Sequence, residues 1–510
     1  MTAVPPEETH DITNTENRAV KVGISLAMLL AGSLLVGFSM GRWLAPLAAW
    51  IGPVLIIRYA RDHKVGRGYL LVIAALILAV FIAFGEFFDP PIGIFIVVGN
   101  GLLMSLPYLA DRLISPRLKG FLSTFAFPLA ATTLEFLYIH TNPLGTWGTT
   151  GFTQYGNLPL MRLASVTGMI GITFLMGWFA SVANSAWENR GRGAEVLRGL
   201  AVFGVVMGIV FLFGYVRLNL TPTSTTDETI RVAGITAQPL GTMLERVAEM
   251  LGPDPDMTSP EFRKEVQSHW EAYFDETVRE AQAGARVIVW PELHGFTLPS
   301  DEASYIAQAQ EVARQNEIYL AIPLGVFDPE MRQMAENKLL LIDPTGAIVM
   351  EHFKYGGAIM ETTFVGDGVL QFVDTPFGVL SGVICYDMDY PTVIQQAGQN
   401  VTGLMLVPSS DWFAIDPVHS QMAVFRAIEN GMSLVRQTNN GLSIAVDPYG
   451  RVLAQTDFFG ATDRTMVAQV PVKHVTTVYT QFGRWVEWLC LAGFLFIVGW
   501  ALFARRDAKT

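Results

Sequence analysis

Three apolar runs in the second half of the chain end on side chains of different chemistry. "VIVWPEL" delivers Glu292, "EHFKY" delivers Lys354 and "GVICYD" delivers Cys385. A carboxylate, an ammonium and a thiol are the groups that nucleophilic attack on a carbonyl requires. The carboxylate takes the thiol proton, the thiolate attacks, and the ammonium stabilises the oxyanion that forms. The chain of 510 residues holds only 2 cysteines, so the placement of one at a strand end is informative. The other, Cys490, lies in an apolar stretch and reads as a lipid-facing or packing residue; two such settings imply no disulfide framework. Asp387 and Asp389 follow Cys385 closely. Negative charge there raises a thiol pKa, which Lys354 must offset. These two acids are expected to orient the turn or an acceptor amine rather than to act as bases. His294, two residues after Glu292, reads as a packing or surface residue.

The elements that must carry these groups alternate between strand and helix. "TIRVAGITAQ", "ARVIVWPEL", "IYLAIPLGVF", "KLLLIDPTGAIVMEHFK", "GVLSGVICYD" and "GLMLVPSSDWF" read as strands. "EFRKEVQSHWEAYFDETVREAQAG" and "HSQMAVFRAIENG" have helical spacing and end at Gly284 and Gly431. "DPTG" and "DPYG" are turns, the first closing a hairpin. Interleaved strands and helices predict layered α/β packing over residues 221–484. This region holds 16 Lys and Arg against 33 Asp and Glu between residues 222 and 484. Such an acidic balance argues against a nucleic-acid partner. The eight histidines contain no HxxxH or HxxEH pair, so no metal site is expected. "GTWGTTGF" lacks the strand and lysine of a phosphate loop, and no cofactor is implied.

Residues 21–220 read as membrane. The whole chain is 51% hydrophobic. Apolar stretches near spanning length, about 20 residues, occur at Val22–Phe38, Trp43–Ile57, Tyr69–Phe84, Ile92–Leu109, Phe121–Ile139, Leu163–Val182 and Leu200–Tyr215. An eighth, Val486–Phe503, gives a C-terminal span over 485–504, and residues 505–510 form a short tail. Residues 1–20 are polar and rich in Pro, Glu and Thr, and are expected to be disordered; they precede an uncleaved first span. Lys and Arg crowd alternate loops: Arg18 and Lys21; Arg58, Arg61, Lys64 and Arg67; Arg112, Arg117 and Lys119; Arg190, Arg192 and Arg198; Arg505, Arg506 and Lys509. The intervening loops carry Arg42, then Glu86 and Asp89, then Arg162. The bias predicts cytoplasmic termini and an extracytoplasmic α/β domain. Glu135, inside span five, is costly in lipid and therefore a candidate functional residue.

"VIVWPEL", "HFKY" and "GVICYDMDYP", in this order, resemble the Glu–Lys–Cys signature of the nitrilase (carbon–nitrogen hydrolase) superfamily. The similarity runs from about Ile230 to Val470 and extends through "SSDWF", "FRAIENG" and "RQTNNGLSIAVDPYGRVL". The resemblance implies an αββα sandwich attached to a multi-span helical membrane domain. It implies Glu292 as general base, Lys354 as oxyanion stabiliser and Cys385 as nucleophile. One membrane branch, the apolipoprotein N-acyltransferases, has this arrangement of spans, outward domain and final span. "LEFLYIHTNPLGTWG" and "ASVTGMIGITFL" are similar to that branch too, and it also has a Glu at the place of Glu135.

For that branch the resemblance implies transfer of an acyl chain from a phospholipid, through a cysteine thioester, to the N-terminal amine of a diacylated lipoprotein at the bacterial plasma membrane. Glu361, Tyr386, Asp387, Trp412 and Glu135 are the candidates for substrate contact. After Lys354 the chain reads "KYGGAIMETTFVGDG" where the branch has a "PFGE"-type loop and an insertion, and Glu361 is the acid able to replace that loop's second Glu. This short connection is closer to soluble nitrilases. Two alternatives therefore stay open: a membrane-anchored amidase acting on a small amide, and a catalytically silent membrane scaffold.

Overall fold

In a computed structural model, the residues described are 8–87, 90–118, 120–189, 193–220, 229–237, 256–330, 334–357 and 361–507. The chain divides into two compact units. One comprises Met1–Leu137, Ile170–Ile209 and Val486–Thr510, and the other Tyr138–Met169 and Val210–Trp485. Tyr138–Met169 thus groups with the α/β fold, although its sequence neighbours are spans.

The first unit is helical. Among the described residues, six helices are long and apolar enough to cross a membrane: Val20–Ser39, Val65–Phe84, Ile92–Arg117, Gly120–Thr141, Val196–Asn219 and Trp485–Phe503. A seventh results if Leu158–Thr167 and Ile170–Glu188, bent by 116° at their junction, count as one. The sixth stretch expected from Leu163 is therefore broken, and its straight helix begins at Ile170. Gly168, at φ +65°, makes that break. The second stretch forms the shorter helix Pro46–Asp62. The first helix starts at Glu8, so the polar segment expected to be disordered is helical from there. Extending an existing helix adds one hydrogen bond per residue without a new nucleus, which favours this outcome. Of the charges used to orient the spans, Asp89, Lys119, Arg190, Arg192 and Lys509 lie outside the described residues.

Leu29, Val36, Ile56, Val72, Leu76, Tyr108, Phe127 and Ala180 form a buried core of this unit. Its outward positions are also apolar: Phe81, Phe95, Leu197 and Phe503 are all exposed. A helix apolar on both faces is suited to lipid outside and protein inside. Cys490 is buried with Ala126, Leu129 and Ile497, a packing role. Glu135 Oε2 accepts a hydrogen bond from Thr173 Oγ1 at 2.8 Å.

The second unit is built on two sheets. The first contains β1 (Thr229–Gly234), β2 (Val287–Val289), β3 (Gly295–Thr297), β4 (Tyr319–Val326), β5 (Glu336–Ile342) and β6 (Ile348–Phe353). The second contains β7 (Val373–Thr375), β8 (Gly378–Gly382), β9 (Leu404–Ser410), β10 (Ser433–Asn439), β11 (Leu442–Val446) and β12 (Val452–Asp457). A last strand, β13 (Met466–Pro471), returns to the edge of the first sheet, giving the order β13-β1-β2-β4-β5-β6 with β3 paired to β4. The second sheet runs β12-β11-β10-β9-β8-β7.

Period-two alternation assembles the layers. Val287, Val289, Tyr319, Ala321, Leu339 and Leu341 join Leu380, Leu404, Leu406 and Val435 in one core between the sheets. The intervening residues Ile288, Leu320, Ile322, Leu340 and Ile342 face a second core with Phe262, Trp270 and Tyr273 of the helix Pro260–Gln282. The helix Val418–Asn430 packs on β10 and β11. The result is the expected αββα sandwich.

Candidate active site

Strand ends concentrate the chemistry. Glu292 follows β2, Lys354 follows β6, Cys385 follows β8, and Ser410 and Asp411 lie at the end of β9. All five lie at carboxyl ends of strands, where α/β folds open their crevices. Glu292, Lys354 and Cys385 are each buried.

Glu292 uses both oxygens. Oε1 accepts from Lys354 Nζ at 2.6 Å and from Asn337 Nδ2 at 2.8 Å. Oε2 accepts from the backbone N–H of Ser410 at 2.9 Å. The carbonyl of the same Ser410 lies 3.8 Å from Cys385 Sγ, in reach of its S–H. One peptide residue therefore touches both the carboxylate and the thiol. Lys354 is held a second time by Glu361 Oε1. Burial pushes the Lys354 ammonium toward neutrality, but Glu292 and Glu361 overcome this and raise its pKa above the ordinary value. It remains a cation.

Cys385 has φ +46°, in the left-handed region that a non-glycine residue adopts at a cost. The cost is met by Asp387, which is fully buried and fully bonded. Its Oδ2 accepts from the N–H of Ile384 at 2.9 Å and from His352 Nε2 at 2.8 Å. Its Oδ1 accepts from the N–H groups of Tyr355 at 3.0 Å and Gly356 at 2.6 Å. Asp387 thus ties the Lys354 strand end to the Cys385 turn. Gly356 permits the approach, since a Cβ there would stand 2.7 Å from the Tyr386 carbonyl oxygen.

Behind the thiol lies a cluster that single-sequence reasoning missed. Arg436 Nη2 and Asp411 Oδ1 each lie 3.9 Å from Cys385 Sγ. Asp411 Oδ1 also accepts from Arg436 at 2.9 Å and from His419 Nδ1 at 2.7 Å. The other imidazole nitrogen, Nε2, donates to Asp389 Oδ2 at 2.8 Å. Burial and Arg436 oppose the charged imidazolium, but Asp411 and Asp389 prevail and raise the His419 pKa well above its usual value. Burial and Glu292 push the Cys385 thiol up, while His419 and Arg436 pull the other way; the net direction is upward. The resting group is a neutral thiol that needs a base. The only earlier signal was an Arg inside "LVRQTNN" and a His opening an amphipathic helix.

Cys385, Asp411 and His419 bring potential metal ligands within 4.8 Å of one another. Both nitrogens of His419 are already spent on carboxylates, and Arg436 supplies the positive charge there. This set does not suit a cation.

The other candidates divide. Glu361 and Asp387 contact the centre directly. Tyr386 extends from the Cys385 turn and donates to the Leu144 carbonyl at 3.3 Å. Trp412 follows Asp411 on the chain but is exposed. Glu135 belongs to the helical unit. His294 is buried, with Nδ1 2.9 Å from the Glu292 carbonyl oxygen and its ring against His269 and Tyr273, a packing position.

Two family sequence models match the chain. The "Apolipoprotein N-acyltransferase N-terminal domain" covers residues 26–182, and "Carbon-nitrogen hydrolase" covers residues 257–479. A protein named apolipoprotein N-acyltransferase from Geobacter metallireducens is 23% identical over 425 residues, or 76% of this chain and 76% of its own. One of the same name from Coxiella burnetii is 22% identical over 463 residues, 84% of this chain and 90% of its own. Among solved structures, an amidase from Nesterenkonia sp. aligns over 50% of this chain and 93% of its own, at 20% identity and a TM-score of 0.38.

Proposed function

Because this chain belongs to the apolipoprotein N-acyltransferase family, we propose that it transfers an acyl chain from a phospholipid, through a thioester on Cys385, to the N-terminal amine of a lipoprotein. The observation that carries this reading is the meeting of the buried Glu292–Lys354 pair and the Cys385 thiol on the backbone of Ser410.

The chemistry balances in two steps. Glu292 takes the thiol proton and the thiolate attacks the ester carbonyl. The tetrahedral oxyanion forms beside the Lys354 ammonium. It collapses, the lysophospholipid alkoxide leaves, and Glu292 returns the proton to it. In the second step the lipoprotein amine attacks the thioester and Glu292 takes a proton from that amine. The thiolate leaves and takes that proton back from Glu292, restoring the neutral thiol, and an amide remains on the acceptor. A neutral resting thiol beside a base fits this sequence, since the proton must be carried to each leaving group in turn.

The experiment is direct. Enzyme incubated with acyl-labelled phospholipid and no acceptor should hold label that hydroxylamine releases, and adding a diacylated lipopeptide should move that label to the peptide. Cleavage of small amides with no acyl label taken up would replace this reading with the amidase.

The α/β domain is proposed to be extracytoplasmic, with both termini inside. Support comes from the alternation of Lys and Arg through the loops. Protease added to intact spheroplasts should cut within residues 222–484 and spare a C-terminal tag. Digestion of the tag with the domain intact would reverse the assignment.

A further inference from the structure

The unit that carries Cys385 includes a segment that reads as membrane-flanking sequence, Tyr138–Met169. Its turn Asn142–Trp147 is tied to the nucleophile turn at three successive points. Tyr386 Oη donates to the Leu144 carbonyl at 3.3 Å, and Tyr390 Oη donates to the Pro143 carbonyl at 2.6 Å. Between them, Asp389 is held twice. Its carbonyl accepts from the N–H of Thr146 at 3.1 Å, and its Oδ1 accepts from Thr146 Oγ1 at 3.0 Å. Thr146, Asp389 and His419 are all buried.

The turn is organised for this contact in its own right. Asn142 Oδ1 accepts from the N–H of Leu144 at 2.8 Å, and Asn142 Nδ2 donates to the Gly145 carbonyl at 3.1 Å. Gly145 has φ +57°, and a Cβ on it would stand 2.4 Å from the Asp389 carbonyl oxygen. Only glycine allows the strand of contacts to close. Trp147 then lays its ring parallel to Tyr386, with centroids 6.3 Å apart, and against His419 at 5.2 Å.

Resting on the reading of Cys385 as nucleophile, we infer that the turn Asn142–Trp147 is a positioning strap for it, acting through Asp389 and His419. Thr146 fixes Asp389 on one oxygen. The other oxygen of Asp389 holds His419, and His419 holds Asp411, which lies beside the thiol together with Arg436. Every link is a hydrogen bond to a buried carboxylate, so a change at Thr146 is transmitted as a change in the orientation of charge around sulfur. Thr146 and Asp389 touch no reacting atom in this scheme; they are positioning residues. The role of the N-terminal half then exceeds anchoring, because part of it completes the site.

The test uses the full chain in detergent or proteoliposomes. Turnover is expressed per mole of monodisperse protein recovered from size-exclusion chromatography, which removes any loss of folded enzyme from the result. Thr146→Val, which keeps shape and loses the donor, should lower kcat about tenfold with KM within about twofold of wild type, and Thr146→Ser should recover kcat to within about twofold. If Thr146→Val does not accumulate, Thr146→Ala replaces it with the same expectation. The charge link is read separately from the pH midpoint of Cys385 alkylation. The charged or titratable groups facing that thiol are Glu292, Lys354, Asp411, His419, Arg436 and Tyr386. Replacing His419 by Gln removes a cation and should move the midpoint upward by about one unit. Wild-type kcat in Thr146→Val, or failure of Thr146→Ser to recover it, would overturn the strap. An unmoved midpoint in His419→Gln would overturn its route through the imidazolium. Absence of acyl label from wild-type Cys385 is a different result, which fells the nucleophile reading and this inference with it.

Discussion

Replacing Cys385 by Ala is expected to abolish turnover and hydroxylamine-sensitive acyl labelling while leaving the protein folded. The change removes one sulfur from a buried strand end, and the cavity left is small, so the stability cost should stay near the usual 1–2 kcal/mol for a modest core truncation, about that of losing one methyl or so. Cys385→Ser should be inactive as well. The site already raises the pKa of the group at this position through burial and the charge of Glu292, and an alcohol starts far above a thiol. The same shift sets the sign of the pH dependence of labelling. A thiol with a raised pKa is protonated at neutrality, so alkylation of the wild-type enzyme should be slow at pH 7 and climb as pH rises. Its midpoint should lie above the ordinary thiol value of about 8.5. A midpoint below that value would contradict the balance of burial and charge described here. Full acyl transfer by Cys385→Ala would remove the thioester mechanism altogether.

How much of this site was legible beforehand follows from where each residue sits on its element. Glu292, Lys354 and Cys385 end apolar runs, and a reactive side chain at the end of a strand has little else to do there. The sandwich was legible for the same reason. Strands such as "LAIPLGV" and "KLLLI" are apolar on both faces and require layers on both sides. Arg436 and His419 were not legible. One is a single charge within β10 and the other lies near the start of a helix, and neither position announces a partner from another strand. Their meaning depends on β8, β9 and β10 being neighbours in one sheet, which is a tertiary fact. Tyr138–Met169 is the largest reassignment. "NPLGTWGTTGF" follows a span directly, and its composition is that of a loop between spans. Only the hydrogen bonds of Thr146, Pro143 and Leu144 to residues more than two hundred positions away reveal its place. The broken helix before Ile170 belongs to the same misreading, because an apolar count does not register a glycine at positive φ.

Lys354→Met should cost both stability and activity, and the two losses can be separated. The substitution leaves Glu292 buried with only Asn337 and the Ser410 N–H as donors. Removing one member of a buried ion pair typically costs about 3–5 kcal/mol, since the remaining charge has lost its compensation. Glu361 loses the same partner, but its side chain is 40% exposed and water can replace the lysine. The stability loss therefore belongs mainly to Glu292. Activity should fall by a hundredfold or more, about what removal of an oxyanion donor costs in other acyl-transfer sites. Combining Lys354→Met with Glu292→Gln distinguishes the causes. The single oxygen of the amide can accept from Asn337 or from the Ser410 N–H but not from both, since these donors bond different oxygens of Glu292, yet no buried charge is stranded. Thermal inactivation of the double variant should return part of the way to wild type, since one unsatisfied buried donor costs less than a stranded charge. Its acyl transfer should stay absent, because both the proposed base and the proposed oxyanion stabiliser are gone. If Lys354 served only to neutralise Glu292 in the fold, Lys354→Met assayed at a temperature where it stays folded, with Glu292 intact, would keep wild-type turnover. Wild-type turnover in folded Lys354→Met would thus assign the lysine to structure and leave the oxyanion without its proposed partner.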